Sequence, residues 1–148
     1  MTYSHTQRGY LHVLPGVICL LLVIFTLTGA SPAPVLLLGS VVMGLLCLSF
    51  AQLTVRGEAE SLLVAFGPLS TFQRRVPYAD IERVEAERSD ILDGFGIHWL
   101  PRRGWIWNLW GMDCVKLHLA GDRSLRVGTE DPQGLVAFLE ARLAQEPA

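Results

Sequence analysis

Charge is what the N-terminal part of this sequence lacks. No Asp, Glu, Lys or Arg occurs from Gly9 to Val55, and every acidic side chain and all but one of the basic ones lie from Arg56 onward. Charged residues make up 18% of the chain against 51% hydrophobic, fewer than the roughly 25% of an ordinary globular domain. Cysteine is scarce as well. Cys19, Cys47 and Cys114 cannot build a disulfide framework, and the first two fall in apolar runs where a thiol packs as a small hydrophobe. A basic excess is also missing. The formal net charge of −2 is not the electrostatic footprint of a nucleic-acid binder.

The charge-free stretch is broken once, at Gly29-Ala30-Ser31-Pro32-Ala33-Pro34, where two prolines, a glycine and small residues predict a turn. Before it runs LHVLPGVICLLLVIFTLT, residues 11–28; after it runs VLLLGSVVMGLLCLSFAQL, residues 35–53. Each is about the length of a helix that crosses a hydrocarbon core of roughly 30 Å. The pattern therefore predicts a transmembrane hairpin over residues 1–53, whose Ser40 and Gly44 let the two helices approach closely. Arg8 on one side and Arg56, Arg74 and Arg75 on the other place both termini in the cytoplasm by the positive-inside rule. The expected location is the inner membrane, multi-pass. A cleaved signal peptide ending at Ala30 is the competing reading of the first run; the second span then still returns the chain to the cytoplasm.

From residue 54 the period changes, and 54–148 is expected to be a cytoplasmic domain of roughly 90 residues, large enough for its own core. Leu62, Val64 and Phe66 alternate with their neighbours before Gly67-Pro68 turns the chain. Phe72 to Val76 is a second extended run. Glu82 to Arg88 alternates with Val84 and Ala86 on one face, and Cys114 to Leu119 buries Val115, Leu117 and Leu119. Ala120-Gly121-Asp122-Arg123 is a hairpin turn leading into Ser124–Gly128. Asp131-Pro132 then reads as N-cap and first position of a helix carrying Leu135, Val136, Phe138, Leu139 and Leu143 at helical spacing.

Short strands closed by one C-terminal helix, with Phe66-Gly67, Val76-Pro77, Asp80-Ile81, Gly94-Phe95-Gly96-Ile97 and Val127-Gly128-Thr129-Glu130-Asp131-Pro132 followed by Leu135, form a pattern that resembles the bacterial pleckstrin-homology-like (PH-like) domain family of small membrane-anchored proteins. The resemblance covers about residues 53–145. It implies a seven-stranded PH-like split barrel with a C-terminal α-helix, and no catalytic residues. The phosphoinositide-binding loop of eukaryotic relatives would fall near Gly57 to Ser61, where Glu58 and Glu60 stand instead of basic residues. That ligand is therefore not implied.

All four tryptophans, Trp99, Trp105, Trp107 and Trp110, lie in one window with Arg102 and Arg103. Pro101-Arg102-Arg103-Gly104 suits a hairpin turn, which pairs Leu100 with Trp105, Trp99 with Ile106 and His98 with Trp107. Both faces of that hairpin are apolar, and a barrel has one inside. Three readings stand. The hairpin lies on the inner leaflet, with its indoles at the headgroups and its arginines on anionic lipid, worth about 1 kcal/mol each. Alternatively it is a hot spot for a protein partner or a second copy in a homo-oligomer, or the fold buries it.

Catalytic constellations do not appear. His5, His12, His98 and His118 have no metal-ligand spacing with Cys or carboxylates, although His98 and His118 could meet across a sheet. Cys114 beside Asp113 lacks a nearby base, and no glycine loop precedes a helix to cradle phosphate. Glu82, Glu85, Glu87 and Asp90 with Arg83 and Arg88 read as a solvated strand face. The sequence thus predicts a non-catalytic module without cofactor or metal, presented at the inner membrane and contacting membrane lipids but not nucleic acid. Protein–protein interaction or self-association through the same Trp/Arg patch is the alternative.

Overall fold

The computed structural model describes residues 2–29, 33–90, 94–101 and 103–145. The chain opens on a strand the sequence does not announce, β1 (Ser4–Arg8). Two helices follow, α1 (Val13–Leu27) and α2 (Ala33–Ser49). The remaining strands are β2 (Gln52–Gly57), β3 (Ser61–Phe66), β4 (Phe72–Pro77), β5 (Ile81–Arg88), β6 (Gly96–Leu100), β7 (Gly104–Asn108), β8 (Asp113–Leu119) and β9 (Arg123–Gly128). Helix α3 (Pro132–Leu143) ends the described chain.

The helices do not span a membrane. At 1.5 Å per residue, the 15 residues of α1 and 17 of α2 reach about 22 and 25 Å, against the roughly 30 Å of a hydrocarbon core. Among the described residues no helix is long and apolar enough to cross a membrane. The expected transmembrane hairpin is thereby corrected, and with it the inner-membrane, multi-pass location. The physical reason lies at the ends. Residues Tyr10 to His12 form a turn, and Gly29, at φ +69°, terminates α1 in the left-handed region that glycine favours. At the far end Gln52 and Leu53 leave the expected second span to enter β2, where Leu53 is fully buried. Ala30, Ser31 and Pro32 of the expected turn lie outside the described residues.

Nor does a β domain simply follow the hairpin. β1 pairs antiparallel with β2, Thr6 opposite Thr54 and Gln7 opposite Leu53, so both helices are an excursion between two neighbouring strands. Within that excursion the small residues are consumed by helix–helix contact. A Cβ added at Gly16 would sit 3.3 Å from Cys47 Sγ, one at Gly39 would sit 3.3 Å from a Leu22 methyl, and Ser40 is buried.

The nine strands of the described residues form two sheets, not the seven-stranded split barrel that the resemblance implies: β1-β2-β3-β4 and β5-β8-β9-β7-β6. All neighbours are antiparallel except β7 and β9, which run parallel. Inward residues of both sheets share one core: Leu53, Val55, Leu62, Val64 and Phe66 from the first, and Val115, Leu117, Leu125 and Val127 from the second. The β8–β9 turn uses positive φ at Gly121 (+77°) and Asp122 (+56°), the type I′ geometry that matches strand twist. Glu87 does not lie on a solvated face; it holds the buried Arg126 through bonds of 2.6 and 3.2 Å.

Helix α3 begins where its capping residues place it. The Asp131 carboxylate accepts from Gly134 N–H at 3.0 Å, and Leu135, Phe138 and Leu139 enter the core. Tyr3 stacks on Phe138 with ring centroids 5.4 Å apart and donates to Asp131 Oδ2 at 3.4 Å. Burial pushes the Tyr3 phenol up to about 12; a hydrogen bond with Thr129 lowers it, and Asp131 raises it. The fold therefore favours the protonated phenol. Its contribution is complete below the ordinary value of 10.0 and is lost as pH rises through about 12. Tyr3→Phe is expected to flatten this alkaline loss, read as the denaturant midpoint across that pH window. An unchanged slope would show that Tyr3 is not the group responsible.

Candidate partner-binding surface

The tryptophan window is a hairpin, but its register differs by one residue from the expected one. Leu100 pairs with Gly104, Trp99 with Trp105, His98 with Ile106 and Ile97 with Trp107. Arg103 N–H bonds to the Leu100 carbonyl at 3.2 Å. Gly104 adopts φ +76° and sits so close to β9 that an added Cβ would lie 2.4 Å from the Ser124 carbonyl oxygen. Glycine's missing side chain thus lets the tip dock on β9, and this close approach sets the register.

That register gives the expected contact residues different fates. Trp107 is a core residue, 7% exposed and packed edge-on against Phe66 at 5.9 Å. Trp99 and Trp105 share one face of the hairpin but lie beyond the core, 57% and 42% exposed. Trp110 lies past the end of β7. It stacks on Phe95 at 5.2 Å and meets Tyr10 edge-on at 5.5 Å, which ties the window to the start of the hairpin. Arg103 is committed to structure: its guanidinium is 3.7 Å from Asp90, and its carbonyl accepts from Ser124 Oγ at 3.0 Å and from Arg126 at 3.3 Å. Arg102 lies outside the described residues.

Most of the exposed large hydrophobic residues among those described lie elsewhere, on the two helices. Helix α1 buries none of its residues, and Leu14, Val17, Leu21 and Ile24 are all exposed. On α2 the stripe Leu38, Val41, Leu45 and Leu48 is exposed too. Between the hairpin and β6 runs an apolar groove of about 440 Å³, lined among others by Leu14, Ile18, Met43, Phe50 and Phe95. Phe95 joins this groove to Trp110 and Tyr10, so one apolar surface continues from the helices onto the sheet body. Its helical part carries no charge, because the sequence between Gly9 and Val55 has none.

The histidines do not converge. His98 on β6 and His118 on β8 are separated by β7 and β9, about 14 Å at the usual strand spacing, and His118 bonds to Glu85 at 3.2 Å instead. Cys114 is buried and donates to the Glu87 carbonyl at 3.3 Å. Among the described residues no group of three or more His, Cys, Asp or Glu could hold a metal ion.

Sequence reasoning missed a second cluster. Arg74, Lys116, His118 and Arg123 line a groove of about 680 Å³ together with Trp99 and Trp105. These side chains come from β4, β6, β7, β8 and β9, and no local spacing in the sequence connects them. Burial, and then the neighbouring Arg123 charge, push the Arg74 guanidinium down from its ordinary value. No family model matches this chain, and no curated protein matches it.

Proposed function

We propose that this protein is a non-catalytic protein–protein interaction module that docks through its helical hairpin, with a second copy of itself as the partner. The observation that carries this reading is the apolar surface that α1 and α2 leave exposed outside their mutual contact, with Leu14, Val17, Leu21 and Ile24 on α1 and Leu38, Val41, Leu45 and Leu48 on α2. A helix that is hydrophobic all round is a helix that something covers, and at about 22–25 Å these two are short of a bilayer core. Fully burying an exposed Leu, Val or Ile contributes about 1.5–3 kcal/mol, and these side chains, roughly half exposed, each supply part of that toward pairing two such hairpins. A two-helix hairpin meeting its copy about a twofold axis forms a four-helix bundle, a common packing solution. Tyr10, Phe95 and Trp110 extend the surface at the base of the hairpin, consistent with the enrichment of aromatic residues in interface cores.

Light scattering of the full chain in aqueous buffer tests this. The expected result is a discrete dimer that Leu38→Glu combined with Val41→Glu converts to a folded monomer, with the circular dichroism unchanged. Both side chains are exposed, at 66% and 59%, so the substitutions leave the core intact. A wild-type monomer overturns the reading. So does a chain that enters lipid vesicles and forms no discrete oligomer without them.

A further inference from the structure

The groove at the tip of the β6–β7 hairpin has its own chemistry. Arg74 lies opposite Val64, which is fully buried. Cross-strand partners share a sheet face, so Arg74 stands on the core side of the first sheet, half-buried between Phe72 and Val76. A cation in that position ordinarily has an acidic partner. Among the described residues Arg74 has none, and the same holds for Lys116 and Arg123. The neighbour that Arg74 does have is a second guanidinium, Arg123. The nearby carboxylates are Asp122, on the groove wall, and Glu85, which is taken by Arg83 at 2.7 Å and His118 at 3.2 Å.

Beside these cations stand two indoles. Trp99 and Trp105 face each other across the hairpin and are about half exposed. Among the described residues neither stacks on another ring. The groove volume of about 680 Å³ is that of a small-molecule site. We propose that this groove binds a nucleoside polyphosphate, its phosphates held by Arg74, Lys116 and Arg123 and its base laid against Trp99 and Trp105. The phosphates supply the negative charge that three adjacent cations lack, and guanidinium groups fit phosphate oxygens bidentately. An indole face accepts any base, because stacking needs a π-surface rather than a hydrogen-bond pattern. A long acidic peptide is less well matched, since its carboxylates would leave the indoles without a planar partner. This site shares no residue with the helical docking surface, so either stands if the other fails.

Calorimetric titration of the full chain with ATP, adenosine and inorganic tripolyphosphate tests the assignment. ATP is expected to bind more tightly than either half alone. Lys116→Gln and Arg74→Gln should each weaken ATP by about tenfold, the loss of one charge-assisted contact. Trp99→Ala should weaken ATP while leaving tripolyphosphate unchanged. Lys116 is the only lysine in the chain, so reductive methylation gives a resonance that reports on the groove and should shift on adding ATP. Lys116 lies outside the core, so its variant keeps the test valid if Arg74→Gln does not fold. Absence of ATP binding overturns the proposal. Tripolyphosphate binding as tightly as ATP, adenosine binding as tightly as ATP, or binding of a polyglutamate peptide without ATP would each overturn it too.

Discussion

Trp107→Ala is expected to destabilise the protein by about 3–5 kcal/mol, the usual cost of emptying a large aromatic site in a packed core. Trp99→Ala, eight residues earlier in the same hairpin, should stay within about 0.5 kcal/mol, as exposed positions do. The contrast follows from one residue of register. With Trp99 opposite Trp105 and Ile97 opposite Trp107, the hairpin carries Trp107 under Phe66 and leaves Trp99 beyond the core. Chemical denaturation of the two variants measures this directly. For a chain of this length the larger loss corresponds to a fall in melting temperature of roughly 10 °C. Equal costs for the two variants would mean that both indoles are packed alike and that the register differs from the one described.

The second large effect is expected at Gly104. Gly104→Ala puts a methyl group into a left-handed backbone, at about 1–2 kcal/mol. It also drives that methyl to 2.4 Å from the Ser124 carbonyl oxygen and 3.1 Å from its carbon. A hydroxyl can rotate away, but main chain paired in β9 cannot. Overpacking of this kind adds about 1–3 kcal/mol, for a total near 3. Gly29→Ala is the control. Its φ of +69° is nearly the same as the +76° of Gly104, and nothing lies within 4 Å of its added Cβ. It should lose only the backbone part, about 1–2 kcal/mol. If the two alanine variants lose the same amount, the close approach of the hairpin tip to β9 contributes nothing. Trp105 would then owe its position to the sheet alone.

Much of the local structure could be read from the chain because it is caused locally. Asp131-Pro132 starts α3 through a side-chain bond three residues long. Gly121-Asp122 turns the chain through its own φ values. The alternation in Cys114–Leu119 comes from one buried face. β1 was not legible. SHTQR has no apolar alternation, and it forms a strand because β2 offers it an edge; Gln7 is buried there although it is polar. The ends of the helices were not legible either. Gln52-Leu53 suits the end of an apolar helix as well as the start of a strand, and only the pairing of Leu53 with Phe66 and Gln7 decides between them.

The candidate surfaces divide in the same way. Composition alone marked residues 9–55 as free of charge, a pattern that reads as a membrane hairpin. It also gathered the tryptophans into one window. It did not separate a core indole from two groove indoles and one at the root of the helical hairpin. That separation depends on whether three or four residues form the tip, and the answer lies in the contact between Gly104 and Ser124, twenty positions apart. The cations of the groove are more dispersed still, on β4, β8 and β9. By itself the sequence determined which segments are apolar, where the β8–β9 turn and the α3 cap fall and which face of β8 is buried, because these follow from side chains within a few residues of one another. The tertiary structure alone decided the register of the hairpin, the handover from helix to sheet and the meeting of Arg74 with Lys116 and Arg123. Those depend on which distant backbones find each other's hydrogen bonds, and no local pattern encodes that.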